Sequence, residues 1–139
     1  MRVVVDTNIL ISGLISSIGP PAVILNAIRS GRLVAVMSES TLAELSAVLH
    51  RSALRRYFTK AGIMPTAFIK EIRTQADLIR PATSTAAIRD ERDCPFLDLL
   101  ATTPRPQYFI TGDADFETDE YHGVPVVSAA AFVTLLRRA

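Results

Sequence analysis

The sequence of 139 residues has one cysteine, two histidines and no long hydrophobic run. Because Cys94 has no partner for an internal disulfide, the sequence argues against a disulfide-stapled secreted module and favours a reducing compartment. No apolar stretch approaches the roughly 18 residues that span a bilayer, and a strand pattern at Arg2 takes the place of a signal sequence. We therefore expect a cytoplasmic protein with no membrane partner.

The chain also lacks an excess of charge of one sign, because its formal net charge is +1 at pH 7. A nearly neutral net charge does not indicate a broad basic surface for binding nucleic acid, so any basic surface must be local. We find no internal repeat, low-complexity tract or second domain. The length and the 49% hydrophobic content predict a single domain over residues 1–139 with a sizeable core.

Short apolar runs alternate with helical patterns along the chain. The runs at 3–5, 33–37, 108–110 and 124–127 are typical of strands buried on both faces. Helices are predicted over 20–29, from 41 to about 50, over 65–79 and from 128 onward, whereas 81–92 is a surface loop or an edge strand. The alternation predicts an α/β fold with a mainly parallel sheet and helices on both faces.

Acidic residues follow the apolar runs. Asp6 ends the first run in "RVVVDTN", and Glu44 lies about one helical turn beyond the second. Asp113 follows the third run in "YFITGDADF", and Asp93 precedes a helix that leads to that strand and has Pro95 in its first turn. Ligands of open α/β sheets bind outside the carboxyl ends of the strands. Four carboxylates are therefore candidates for one end of the sheet.

Such a cluster of carboxylates repels itself, because neighbouring negative charges raise one another's pKa. Mg²⁺ and Mn²⁺ offset this repulsion and prefer carboxylate and water oxygens as ligands. These metals activate water for attack on a phosphodiester, so the reaction needs no Ser, Cys or His nucleophile. This fits the sequence, since His50 and His122 lie far from the acids and show no metal-ligand spacing.

Each acid also has a purely structural interpretation. Asp6 could cap a helix or form an Asx turn, Glu44 could form a capping box with Thr41, and Asp93 could be an N-cap. The two aspartates of "TGDADF" could be turn residues. Independent capping does not explain, however, why all four acids follow strands at one end of the sheet.

Polar neighbours of the acids are open to two interpretations as well. Asn8 could orient Asp6 or cap the next helix. Thr7 and Thr111 could hold carboxylates or waters through their hydroxyl groups, although threonine is also common at strand ends.

Four segments in order, "VVVDTNIL", "ESTLAEL", "RDERDCPFLDLLA" and "YFITGDADF", resemble a PIN domain over residues 2 to about 127. The chain is most similar to bacterial and archaeal PIN proteins that are toxins of toxin–antitoxin pairs, relatives of the VapC group. The resemblance implies an α/β/α sandwich and a Mg²⁺- or Mn²⁺-dependent ribonuclease. The catalytic and metal-binding acids that it implies are Asp6, Glu44, Asp93 and Asp113, with Asp115 as a possible outer ligand and Asn8 and Thr111 in the polar surroundings.

The third acid lies in an acid-rich stretch where Asp90, Glu91, Asp93 and Asp98 compete. Asp93 is preferred, and Asp98, five residues further along the same helix, is the alternative.

Binding of RNA to this nearly neutral chain would need local basic residues. The basic residues that are present could also simply form a solvated charged surface. The candidates are Arg51, Arg55, Arg56 and Lys60 after the Glu44 helix, and Arg89 and Arg92 beside Asp93.

Three functions remain open at this point. The first is an endoribonuclease, which the resemblance pairs with a homodimer and an antitoxin partner. The second is a non-catalytic module that binds RNA or a protein partner. The third is a phosphatase of the haloacid dehalogenase kind, which needs a second Asp where this chain has Asn8.

Overall fold

Strands in the described part of the chain form one sheet in the order β3-β2-β1-β4-β6-β5. The computed structural model describes residues 1–80, 94–112 and 120–138. Neighbouring strands are parallel except in the β5–β6 hairpin, which is antiparallel. The strands are β1 (Arg2–Val5), β2 (Val34–Met37), β3 (Asp77–Leu78), β4 (Tyr108–Ile110), β5 (Glu120–Tyr121) and β6 (Val124–Val127).

Helices connect most of these strands and cover both faces of the sheet, so the fold is the expected α/β/α sandwich. They are α1 (Thr7–Ile15), α2 (Pro20–Arg29), α3 (Glu39–Leu49), α4 (Ser52–Ala61), α5 (Pro65–Gln75), α6 (Cys94–Leu100) and α7 (Ala129–Arg138). Within the described ranges, no single helix is long and apolar enough to cross a membrane. Only α1 and α2 taken together reach that length and composition, and they are bent by 94°.

The alternating side chains of β1 divide the core into two clusters. Val3 and Val5 pack with residues of α1, α2, α3, α5 and α7 on one face of the sheet. Val4 packs on the other face with α6, where the rings of Phe96 and Phe109 stack at 6.1 Å. Because β1 is buried on both faces, its continuous run of valines has a direct structural reason.

A close approach of helix α1 to α2 depends on Gly13. A Cβ atom at this position would lie 2.6 Å from the carbonyl oxygen of Pro21 and 3.1 Å from Cβ of Leu25. Gly13 therefore has a packing role in the middle of a helix, where glycine is otherwise unfavourable.

The predicted helix over 65–79 is wrong in its last turn, because α5 ends at Gln75 and the chain continues as β3. Here the backbone of β2 offers hydrogen bonds, and the Ile79 N–H donates to the Met37 carbonyl at 2.8 Å. The Asp77 carboxylate also forms an ion pair with Arg2. Pairing with the sheet thus overrides the helical spacing of Ala76 and Ile79.

Candidate active site

The carboxyl ends of β1 and β4 bring Asp6 and Thr111 together. The Thr111 hydroxyl donates a hydrogen bond of 2.7 Å to Oδ2 of Asp6, and both side chains are buried, at 6% and 7% exposure. The Asp6 N–H donates to the Ile110 carbonyl at 2.9 Å, so the β1–β4 ladder extends to the site itself. A carboxylate at this depth needs hydrogen-bond donors, since an unsatisfied buried charge is costly.

Asp6 occupies the N-cap position of α1, although its side chain makes no capping hydrogen bond. Its backbone carbonyl accepts from Ile9 and Leu10, while its carboxylate accepts from Thr111 on another strand. The capping interpretation is therefore right about the position and wrong about the side chain. The amino terminus of α1 favours a negative charge here through its dipole.

Glu44 is held at the site by Thr7, the residue after Asp6. The buried Thr7 hydroxyl donates to Oε2 of Glu44 at 3.0 Å, which joins α1 to α3. The proposed capping box of Glu44 with Thr41 is wrong, because Thr41 forms the box with Ser38. Helix α3 consequently begins at Glu39, two residues before the predicted start, and Glu44 lies in its second turn with a half-buried side chain.

Beside this edge, the ends of β2 and β3 and the start of α6 enclose a cleft of about 340 Å³. Asp98, the alternative third acid, lines this cleft and is half-buried. Two hydrogen bonds from Arg73, of 2.9 and 3.1 Å, lower the pKa of the Glu39 carboxyl at its rim. The full lining is Ser38, Glu39, Ser40, Ile79, Arg80, Pro95 and Asp98.

Arg80 in this cleft is a functional candidate that the sequence analysis missed. It lies two residues after β3, so a correct assignment of that strand would have pointed to it. The cleft thus combines a guanidinium group with the Asp98 carboxylate and two serine side chains. Such a surface can contact the phosphate and the hydroxyl groups of a nucleotide chain.

Other predicted site residues are not brought into this arrangement. Asp93, Asp113, Asp115, Arg89 and Arg92 lie outside the described residues. Asn8 is exposed as the second residue of α1, where it does not cap the helix, and no hydrogen bond joins it to Asp6 in the described part of the chain. Of the predicted set, the structure therefore groups Asp6, Thr7, Thr111 and Glu44.

The donor chemistry at this edge fits a hard divalent cation. Asp6 and Glu44 supply carboxylate oxygens, and neutral hydroxyl groups orient both side chains. Mg²⁺ commonly takes only one or two protein carboxylates and completes its shell with water and phosphate oxygens. Residues 1–80, 94–112 and 120–138 contain no group of three acidic, histidine or cysteine side chains placed to hold a metal. Further acidic ligands would have to come from the remaining predicted acids.

The predicted basic residues of α4 form an exposed group. Arg51, Arg55, Arg56 and Lys60 are all exposed, whereas Phe58 is the buried anchor of the helix. The described ion pairs use Arg2, Arg29 and Arg73, so the three basic groups of α4 and that of its N-cap, Arg51, stay available to solvent or to an anionic ligand.

Comparisons with known proteins agree with this architecture. Residues 2–115 match the model of the PIN domain family. An uncharacterized protein of Methanocaldococcus jannaschii is 30% identical over 115 residues, which cover 83% of this chain and 72% of the relative. No solved structure matches the chain significantly. The chain therefore belongs to the PIN domain family, whose members are generally nucleases that use divalent metals.

Proposed function

We propose that this PIN domain is a metal-dependent endoribonuclease that hydrolyses RNA phosphodiesters. The observation that carries the proposal is the buried Asp6 carboxylate at the end of the central strand, hydrogen-bonded to Thr111 and adjacent in sequence to the Thr7 that holds Glu44. Two oriented carboxylates at one sheet edge suit a cation better than a purely structural role, since helix capping uses neither of them.

Mg²⁺ or Mn²⁺ bound at this edge would supply an activated water and would offset charge on the phosphodiester oxygens. Asp6 is the central ligand, because Thr111 restrains its carboxylate without neutralising it. Glu44 is the second ligand or holds the attacking water, and Thr7 fixes its Oε2. Asp93 and Asp113 complete the proposed acid set, with Asp98 as the alternative to Asp93 and Asp115 as an outer ligand.

RNA contacts are proposed for the exposed basic residues of α4 and for Arg92. When Arg and Lys neutralise the phosphates of a single strand, the counterions condensed on that strand are released, so binding weakens as salt rises. The near-neutral net charge makes these local contacts decisive for affinity.

We also infer, from the resemblance to toxin-type PIN proteins, a homodimer and an antitoxin partner. The supporting observation is that two large apolar side chains are exposed, Ile18 at 81% and Tyr57 at 43%, and that the Tyr57 hydroxyl donates to the carbonyl of Ile15, three residues before Ile18, at 3.1 Å. Exposed apolar residues that form a patch are typical of interaction surfaces. Light scattering during gel filtration measures the subunit number, and a monomer at micromolar concentration would contradict the dimer.

The deciding experiment compares wild type with Asp6→Asn on a mixed pool of structured and single-stranded RNAs. We expect products in Mg²⁺ or Mn²⁺, none with chelator, and at least about 10²-fold less cleavage by the variant. Glu71→Gln on the outer surface of α5 is the control, because it also removes one carboxylate and should leave cleavage unchanged.

A non-catalytic binding module is the second candidate. Wild type that binds RNA in the pool but yields no product in either metal would favour it. The haloacid dehalogenase alternative is weakened further, since Asn8 is an exposed amide in α1 where that chemistry needs an acid.

A further inference from the structure

A second cavity, of about 550 Å³, lies at the opposite end of the sheet from Asp6. Its residues come from the end of α6, from the segment that leads into β4 and from the turn between β5 and β6. Since α6 runs antiparallel to the strands, its last residues lie at their amino ends. The lining is Leu100, Ala101, Thr102, Thr103, Arg105 and His122.

Arg105 lies against the turn between β5 and β6. A Cβ atom at Gly123 would lie 2.6 Å from Nη1 of Arg105, so the guanidinium packs directly on the backbone of Gly123 and would have to shift for a larger residue. Gly123 also has a φ of 78°, which favours glycine. The guanidinium forms no ion pair or hydrogen bond within the described ranges, and its donors therefore stay available to a ligand.

His122 reaches the same cavity from the turn between β5 and β6. Its φ of 52°, together with the positive φ of Gly123, is what a two-residue turn between antiparallel strands requires. The turn holds the exposed His122 side chain at the cavity beside Arg105.

Two of the carbonyl groups at the end of α6, near the cavity, have hydrogen-bond donors. Carbonyl groups at a helix end normally repel anions. Here the Leu99 carbonyl accepts from the Thr102 hydroxyl at 2.7 Å, and the Asp98 carbonyl accepts from the Ala101 N–H at 3.3 Å. The Thr103 side chain adds a hydroxyl group at the exposed mouth.

We propose that this cavity binds a phosphate group. The planar guanidinium of Arg105 matches two phosphate oxygens, and the His122 imidazole and the Thr103 hydroxyl supply further donors. The exposed Ala101 methyl group provides an apolar contact for the remainder of a phosphorylated ligand. The phosphate belongs either to a small nucleotide or to an RNA strand that continues away from the acidic edge.

Phosphate binding at this cavity does not depend on the nuclease reaction. The two sites lie at opposite ends of the same strands, and no residue lines both. The experiment is therefore done in chelator, where metal-dependent binding at the acidic edge is absent.

The test is a titration of the ¹⁵N-labelled full chain with inorganic phosphate, followed by amide chemical shifts. We expect saturable chemical-shift changes at residues 101–105 and 122–123. The dissociation constant for phosphate should be about tenfold higher for Arg105→Gln, because the variant loses a charge-assisted hydrogen bond. His122→Asn should also weaken binding, and asparagine tolerates the left-handed conformation. Arg138→Gln, an exposed charge removal on α7 at the other face, is the control and should bind like wild type.

Competition then distinguishes the two sources of phosphate. A single-stranded oligoribonucleotide that displaces inorganic phosphate from Asp6→Asn protein assigns the site to RNA, whereas displacement by adenosine monophosphate alone assigns it to a small nucleotide. Changes that do not saturate, or equal losses for Arg105→Gln and Arg138→Gln, would overturn the proposal.

Discussion

Thr111 and Asp6 are joined by a 2.7 Å hydrogen bond between side chains that are 105 residues apart in the chain. The bond connects the ends of two adjacent parallel strands, β1 and β4. It makes the orientation of the proposed metal ligand dependent on correct pairing of these strands. Thr111 therefore orients Asp6 only when β1 and β4 are paired.

Replacing Thr111 with valine tests this link. The change keeps the shape and removes a donor to a buried carboxylate, so we expect a loss of about 1–3 kcal/mol in the free energy of unfolding. RNA cleavage should also fall, because the Asp6 carboxylate loses its restraint. Urea unfolding and the cleavage assay measure the two effects. Thr74→Val, on the exposed surface of α5, is the matched control, and equal behaviour of the two variants would contradict a special role for Thr111.

Replacing Glu44 with glutamine separates its charge from its hydrogen bond. The amide oxygen can still accept from the Thr7 hydroxyl, so we expect the melting temperature to stay close to that of wild type. Metal affinity or cleavage should fall by at least about 10–100-fold, because loss of a group that only supports a metal ligand already has an effect of that size. Titration of Mn²⁺ against cleavage rate measures this change. Activity equal to that of Glu71→Gln would exclude Glu44 from the site.

Replacing Arg80 with glutamine tests the cleft beside the acids. If the guanidinium contacts one phosphate, affinity for single-stranded RNA should fall, and the slope of log affinity against log salt should decrease by about 0.7. Binding is measured in chelator at several salt concentrations, so cleavage does not interfere. Arg138→Gln removes an equal charge far from the cleft, and the same slope for both variants would contradict the contact.

Replacing Gly13 with alanine tests the packing of α1 on α2. Alanine is the better helix former, yet its Cβ would meet the Pro21 carbonyl at 2.6 Å. We expect destabilisation by about 1–3 kcal/mol, as for overpacked cores. Ser12→Ala, at an exposed position of the same helix, should be neutral or slightly stabilising. A Gly13→Ala variant more stable than wild type in urea would show that the helices can move apart.

The sequence was informative where one local pattern determined the structure. Continuous apolar runs identified β1, β4 and β6 and indicated a mainly parallel sheet. The same runs located Asp6 and Thr111 at strand ends, because parallel strands have their carboxyl ends at one edge. The match to the PIN domain family confirms the family that the ordered motifs indicated.

What could not be predicted depends on contacts between distant segments. Strand β3 has only two residues, and its pairing with β2 overrides a helical spacing that continues through Ile79. Arg80 and its cleft were missed for that reason. Likewise, Thr41 faces Ser38 and not Glu44 because helix α3 begins two residues earlier than its pattern indicated. Residue spacing alone does not determine at which residue the helix begins, and therefore does not determine whether Thr41 pairs with Ser38 or with Glu44.

The central position of β1 also determines when during synthesis the acidic edge can assemble. Val3 pairs with Ala35 on one side and with Tyr108 on the other, so the sheet around β1 closes only after β4 has been made. Proteins emerge from the ribosome amino terminus first, and pairing between distant strands waits for the later strand. For the proposed nuclease, this order means that a nascent chain in which β4 has not yet emerged lacks the Thr111 hydrogen bond that orients Asp6.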